Sequence, residues 1–361
     1  MSTLTFSLFQ TTMLKFDMIN RDSIGRIERI MEKKTTISDV AKFVGVSKST
    51  VSQYINGNHQ KMSADTREKI RKAIRTLNYR PSKQAQFLTT RKSNLIGVVV
   101  ADISNMYSSL LLKGISQYFE HTNYHLIIVE AANSEIKEQK ILQKLVDQNV
   151  EGIIIQPSND NSTNYQFIAN NQIPMVLVDR EIEDSPWASI TTDNESIVTK
   201  VMSSIVEKHY KNVIVVSQPI HRVNTREKRY NTIVDVARLN QLNVKLIEID
   251  ESHYLDIDQI TKISKTGKTV IFALNGTVLM DTIKLLNDNH LTIPDDIGMT
   301  GFDDFNVTEI ISPGITSINQ PSKLIGETVA KCLDQILNGT PLVDLKVQTV
   351  IKSEIHCRNS L

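Results

Sequence analysis

The sequence predicts a small all-α head built on a helix-turn-helix, joined to an α/β body of doubly wound parallel sheet. Three observations carry this reading. The overall charge of +1 conceals a split: residues 31–93 hold fourteen Lys and Arg against four Asp and Glu, a net +10, while residues 94–361 carry a net −10. Such a partition suits a short segment that approaches a polyanion while the rest is kept off it. Helical periodicity is concentrated between residues 36 and 77, and from residue 95 short apolar runs alternate with helical stretches.

At 361 residues the chain has room for two or three domains, and 40% hydrophobic with 22% charged residues is an ordinary globular composition. Cys332 and Cys357 form no CxxC and no Cys/His ladder, so neither a disulfide framework nor structural zinc is indicated, and a cytoplasmic location is expected. No apolar run is long enough to cross a bilayer as a helix, and no membrane partner is expected. The expected organisation is an N-terminal extension over 1–34, a head over 35–80, a linker over 81–93 and the body over 94–361.

In the extension, Thr11, Thr12, Lys15 and Asp17 interrupt what would have to be a continuous apolar core for a signal peptide. A start at Met31 is expected instead, because Met31-Glu-Lys-Lys stands just before a capped helix and the codons for the preceding Ile-Glu-Arg-Ile would be purine-rich, like a ribosome-binding site.

The head begins at Thr36-Ile-Ser-Asp39, a capping-box pattern, after which Val40, Ala41 and Val44 share one face. Gly45-Val46-Ser47 is a tight turn: Gly45 is free to take a positive φ and Ser47 caps a second helix, 48–55, with Val51 and Ile55 inward. A third helix after Ser63 turns Ile70, Ala73, Ile74 and Leu77 inward and Arg67, Lys69, Arg71, Lys72 and Arg75 outward. A plain helical bundle with a solvated basic face would share this pattern. Arg80-Pro81 ends it.

The run TTISDVAKFVGVSKSTVSQYING, followed by MSADTREKIRKAIRTLNYRPSKQAQFL, closely resembles the DNA-binding head and hinge of the lactose/galactose repressor (LacI/GalR) family, and the resemblance extends from Thr35 to the C-terminus. It implies that the helix from Lys48 enters the major groove, with Lys48, Ser49 and Gln53 at base-reading positions. Thr36, Ser47, Thr50, Ser52, Asn56, Ser63 and Thr66 then suit phosphate contacts. Gln53 stands where most members have Arg, which shifts the preference from guanine toward adenine. Ala85 and Leu88 match the family's hinge helix, whose leucine wedges into the minor groove; a segment this short folds only when two copies meet on DNA.

In the body, the apolar runs 95–101, 125–130, 152–156, 175–179, 213–217, 245–249, 269–273 and 297–301 give the βαβ signature, and 348–355 reads as a last strand. No GxGxxG or GxxxxGK[ST] is present, so no nucleotide cofactor is expected. Ligands of parallel sheets lie beyond the carboxyl ends of strands, where this chain places Asp102, Gln156, Asp179, Arg180, Asp193, Asn275, Asp303 and Asp304. Each alone could be a turn or cap; together, carboxylate, amide and guanidinium suit sugar hydroxyls.

The resemblance implies two periplasmic-binding-protein-like subdomains and places Asp179, Arg180, Asp193, Asn275, Asp303 and Gln320 at inducer-contact positions, with Tyr107 helping to close the pocket. NTREKRYNTI matches the family's Arg-x-x-Gly-aromatic motif imperfectly, having Thr232 and Ile233, so Arg229 is the first choice for the ligand arginine and Arg226 the second. Such an arginine favours an anionic sugar.

Neither GxSxG nor HExxH occurs, and adjacent carboxylates such as Asp303 and Asp304 point different ways, so an enzyme is not expected and no catalytic residue is assigned. His121 and His125 read as surface imidazoles rather than a metal pair, and Trp187 as loop packing rather than sugar stacking. No leucine heptad follows the last strand, so, with the resemblance, a homodimer on a pseudo-palindromic operator is expected.

The expected function is a repressor of carbohydrate-use genes released by a sugar or sugar acid. SKSTVSQYING most resembles the group that controls 2-keto-3-deoxygluconate use. A catabolite-control regulator with a protein partner, or a sensor tightened by its ligand, are the alternatives. Mass spectrometry of the native N-terminus is expected to find Met31 first; a chain beginning at Met1 overturns that expectation.

Overall fold

The computed structural model describes residues 35–60, 62–81, 92–221, 223–249, 255–341, 345 and 348–361, in two compact units divided at Lys92 and Ser93. In the head, α1 (Ile37–Val44), α2 (Lys48–Ile55) and α3 (Ala64–Thr76) enclose a core of Val40, Ala41, Val51, Ile70 and Ala73. The capping box forms, with the Thr36 N–H donating to Asp39 Oδ2 at 2.9 Å. Gly45 closes α1 at φ 76°, and Ser47 and Ser63 cap the next two helices by accepting from the amides of Thr50 and Thr66. The proposed hinge residues Ala85 and Leu88 lie outside the described residues, as does the extension 1–34.

The body holds two sheets of like topology. The first contains β1 (Leu95–Val100), β2 (His125–Glu130), β3 (Gly152–Ile155), β4 (Met175–Val178), β5 (Ala188–Thr192) and β11 (Gln348–Ile351), in the order β11-β5-β4-β3-β1-β2. The second contains β6 (Asn212–Ser217), β7 (Asn243–Glu248), β8 (Thr269–Ala273), β9 (Gly298–Phe302), β10 (Thr316–Asn319) and β12 (Glu354–His356), in the order β12-β10-β9-β8-β6-β7. Every pairing is parallel except β10 with β12. The central strands are buried along their length, as their unbroken apolar runs require once helices cover both faces.

The helices are α4 (Met106–Phe119), α5 (Glu135–Asp147), α6 (Gln166–Asn170), α7 (Asn194–Glu207), α8 (Asn224–Leu239), α9 (Ile257–Ser264), α10 (Gly276–Asp288) and α11 (Ser322–Leu337). Among the described residues the chain passes between the sheets three times: from β5 into α7, from β10 into α11, which packs against the first sheet, and between β11 and β12.

Two expectations need correction. β5 and β10 are strands that the sequence reading omits, because ASITT and TSIN are short and hydroxyl-rich rather than apolar. The run 348–355 is two strands, one in each sheet, broken where the amide of Ser353 turns to donate to Asp193 Oδ1 at 2.7 Å. Trp187 is buried edge-on to Tyr165, which fits packing rather than sugar stacking, and His121 and His125 are exposed. Among the described residues no three His, Cys, Asp or Glu gather as a metal site, both cysteines are free, and no helix is long and apolar enough to cross a membrane.

Helices α4 and α11 touch backbone to backbone through Gly114 and Gly326. A Cβ on Gly114 would lie 2.1 Å from the Lys323 carbonyl oxygen, and one on Gly326 equally close to that of Leu111. Gly114→Ala is therefore expected to destabilise the body by at least about 1–3 kcal/mol, the cost of overpacking where backbone cannot yield, as a lowered midpoint in urea unfolding.

Candidate functional site

Two surfaces gather the residues singled out from sequence. On the head, α2 turns Val51 into the core and leaves Lys48, Ser49 and Gln53 exposed, with Thr50 and Ser52 partly covered. Its N-terminus carries a hydroxyl cluster: Ser47 Oγ lies 2.7 Å from Ser49 Oγ and 2.8 Å from Thr50 Oγ1. Such hydroxyls, beside the helix-start amides that a cap leaves free, have the chemistry that suits a phosphate oxygen. Ser63 and Thr66 repeat it at α3, their hydroxyls 2.9 Å apart. Thr36 is exposed but its hydroxyl is engaged, donating to Asp39 Oδ2, and the exposed Asn56 closes α2.

In the body, the strand ends converge on a buried polar pocket lined by Tyr107, Gln156, Asp179, Arg180, Arg226, Arg229, Asn275, Asp303 and Gln320, with Asn105, Val223, Thr225 and Leu274. Asp179 and Asp303 follow β4 and β9 in matching left-handed conformations, φ 66° and 70°, and each donates its amide to the neighbouring strand, at Ile190 and Ile318. These turns aim both carboxylates inward. Asp303 Oδ1 accepts from Gln320 Nε2 at 2.6 Å and Oδ2 from the Gly276 amide at 2.9 Å; Asp179 Oδ2 accepts from Gln156 Nε2 at 2.6 Å. Burial pushes the Asp303 carboxyl above its ordinary range, against the opposing pull of Arg229 and these donors.

Arg229 is 4% exposed, stacks 3.6 Å over the Phe302 ring, and donates to Asn194 Oδ1, the Leu274 carbonyl and Gln320 Oε1 at 2.7, 2.7 and 3.0 Å. Arg180 donates to the Pro157 carbonyl at 3.1 Å and Asn133 Oδ1 at 2.8 Å. The loop that holds it is fixed by buried Glu138, which accepts from the Ser158 amide and the Tyr165 hydroxyl. Arg226 donates to Pro219 O and Gln218 Oε1; burial, then repulsion from Arg180 and Arg229, pushes its guanidinium down to about 9.

Three arginines thus meet two carboxylates. Arg180 Nε and the Tyr107 hydroxyl are buried there without a hydrogen-bond partner, and burial and the two aspartates hold Tyr107 well above its ordinary pKa, hence neutral. Both are buried donors without a hydrogen bond, Arg180 Nε lying 4.0 Å from Asp179 Oδ2, an ion-pair rather than a hydrogen-bond distance.

About 50 Å³ is free beside these groups, space for one or two waters. Outside lies a cleft of about 790 Å³, lined by Asp102, Glu130, Asn133, Ser158, Gln218 and others, and Val223 and Arg226 border both spaces. A sugar-sized ligand therefore reaches Asp303 only as Arg226 moves or the cleft opens.

Asp193 is not brought to the pocket. Its amide donates to Ile351 O and its carboxylate caps the Ser353 amide, so it pins the third crossing, and the neighbouring Asn194 supplies the side chain that meets Arg229. Asn194 and Thr192 carry no sequence signal beyond adjacency to that aspartate. Asp304 turns away from Asp303 into a cluster with Thr308, Ser317, His356 and Arg358, so the two do not form an acid/base pair.

Residues 36–82 match the family model of bacterial regulatory proteins, lacI family, and residues 96–341 that of a periplasmic binding protein domain. The chain is 36% identical over 339 residues to the HTH-type transcriptional regulator KdgR of Bacillus subtilis, covering 90% of this chain and all of that one. It is 30% identical to the ribose operon repressor of Lactococcus lactis, covering 87% and 94%. The lac repressor dimer bound to operator and an anti-inducer shares the fold, with a TM-score of 0.77 at 21% identity over 91% of this chain and 99% of that one.

Arg229→Met preserves bulk but strips donors from Asn194, Leu274 and Gln320 and the facing cation from Asp303. An unfolding free energy lower by about 2–4 kcal/mol is expected from urea titration.

Proposed function

Because the chain belongs to the lacI family of bacterial regulatory proteins and is a DNA-binding transcriptional regulator, we propose that it represses carbohydrate-use genes and is released by a sugar-acid inducer, 2-keto-3-deoxygluconate being the first candidate. The observation that carries the effector class is the pocket's excess of guanidinium over carboxylate, with the unfilled donors Arg180 Nε and Tyr107 OH beside it. A carboxylate seated against Arg180 and Arg226 offsets their mutual repulsion, while Asp179, Asp303, Gln156, Asn275 and Gln320 bond the ligand's hydroxyls.

The operator is a pseudo-palindrome read by a homodimer: Lys48, Ser49 and Gln53 face base edges, and the hydroxyl clusters at Ser47, Thr50, Ser63 and Thr66 hold phosphates, with Thr36, Ser52 and Asn56 beside them. Residues 81–93 form the hinge, with Ala85 and Leu88 in the minor groove. Asp193 acts as a crossing pin rather than a ligand contact. Effector and operator then oppose one another through one coupling free energy.

Fluorescence anisotropy on the upstream region of the chain's own gene, at fixed salt, tests this. Operator affinity is expected to fall about tenfold or more with 2-keto-3-deoxygluconate and not with glucose. An unchanged or rising affinity overturns the inducer reading.

A further inference from the structure

The segment from Asp303 to Asn306 is strained: Asp303, Phe305 and Asn306 all take positive φ, at 70°, 50° and 58°, and none is glycine. Its consecutive side chains go to three different places. Asp303 enters the ligand pocket. Asp304, fully buried, is gripped from the end of β12 and the residues after it, with Arg358 Nη2 donating to Oδ2 at 2.9 Å and His356 on the same oxygen, while Asn306 N and Thr308 Oγ1 donate to Oδ1. Phe305 leaves the second subdomain and packs against the core of the first, the cluster that holds Tyr107 and Ile325.

The packing around Phe305 is tight. A Cβ on Gly276 would lie 2.4 Å from Phe305 Cε2 and 2.8 Å from the Asp303 Cβ, and the Gly276 amide is the donor to Asp303 Oδ2. Ring, carboxylate and the start of α10 are therefore one packed unit, and Asp304 fixes its other side. With Asp304 pinned, the route from Asp303 to Phe305 runs through Gly276: its amide holds the Asp303 carboxylate and its Cα is crowded by the Phe305 ring, so a shift of that carboxylate toward a ligand bears on the ring. Tyr107, whose unpartnered hydroxyl faces the same pocket, belongs to the cluster that receives the ring.

We propose that Phe305 is a positioning residue that passes ligand engagement at Asp303 into the core of the first subdomain, and so sets how strongly ligand and operator binding are coupled. This rests on the inducer reading above. Packed cores are bistable rather than continuously deformable, so a small displacement at a ring wedged across two subdomains selects between arrangements of the pair.

Full-length wild type, Phe305→Leu and Phe305→Met are compared with 2-keto-3-deoxygluconate as the probe: operator affinity by anisotropy with and without it, its affinity for free protein by calorimetry, and thermal unfolding. In the variants the ligand-induced loss of operator affinity is expected to shrink from about tenfold to about threefold or less, with ligand affinity and the unfolding midpoint near wild type. Coupling that stays at the wild-type value in both variants, or falls only in step with ligand affinity and unfolding midpoint, overturns the proposal while the inducer reading stands. A ligand that leaves wild-type operator affinity unchanged overturns the inducer reading and the relay with it.

Discussion

The buried guanidinium of Arg229 is the tie on which the body depends. From α8 it reaches Asn194 at the first crossing, the end of β8 at Leu274, and Gln320 at the second crossing, and the same Gln320 oxygen accepts from Thr192 at the end of β5. One planar group with fixed donor directions therefore joins two of the three crossings that link the subdomains among the described residues. A lysine could supply the charge but not the fork. Its facing carboxylate, Asp303, is bonded through Gln320 rather than directly, so the cation and the anion are held apart by an amide that orients both. Burying charge is tolerable here because every guanidinium nitrogen is bonded and the Phe302 ring covers one face.

The two sheets repeat one plan, and the repeat explains why the pocket lies where it does. Strands β4 and β9 occupy the same place in their sheets, each ends in an aspartate in the left-handed region, and each aspartate hands its amide to the next strand. Two such ends facing one another bring two carboxylates together, which would repel if nothing cationic entered. The arginines from α8 and from the turn after β4 meet that requirement, and they exceed it by one charge. The proposed preference for an anion rests on that surplus, and the geometry that creates it follows from the parallel-sheet rule that strand carboxyl ends line the cleft.

Much of this is legible in the sequence, and the illegible parts have definite physical causes. The head is written in local signals, since a capping box, a glycine turn and two serine caps lie within thirty residues, and all of them form. That Asp303 and Asp304 point different ways is expected of adjacent carboxylates at a strand end, although Asp303 leaves β9 in the left-handed region rather than extended. By contrast, Asp193 and Asn194 differ only in which residue is the last before the helix, and no periodicity decides that; the Ser353 amide does, from far along the chain. β5 and β10 escape because threonine and serine side chains are buried in them beside the apolar ones, satisfied by partners such as Gln320 and Arg358 that only the fold supplies. Nor is there a glycine to mark the left-handed Asp303, Phe305 and Asn306: their conformations are imposed by the hydrogen bonds around Asp304.

The charge partition bears on what release from an operator means. With the net +10 of residues 31–93 set against the net −10 of residues 94–361, attraction to any duplex is carried by one short segment. That attraction is sequence-independent and falls steeply with salt. A ligand buried among the strand ends leaves those charges unchanged and so cannot alter it. What it can alter is the margin by which the operator is preferred, typically about 10³–10⁷ in affinity, and a coupling of about 5–150-fold removes part of that margin. On this reading an inducer moves the protein from its operator to other DNA rather than off DNA altogether. A modest coupling is then sufficient, because the competing sites in a genome are so numerous that a loss of tenfold or more in preference empties the operator.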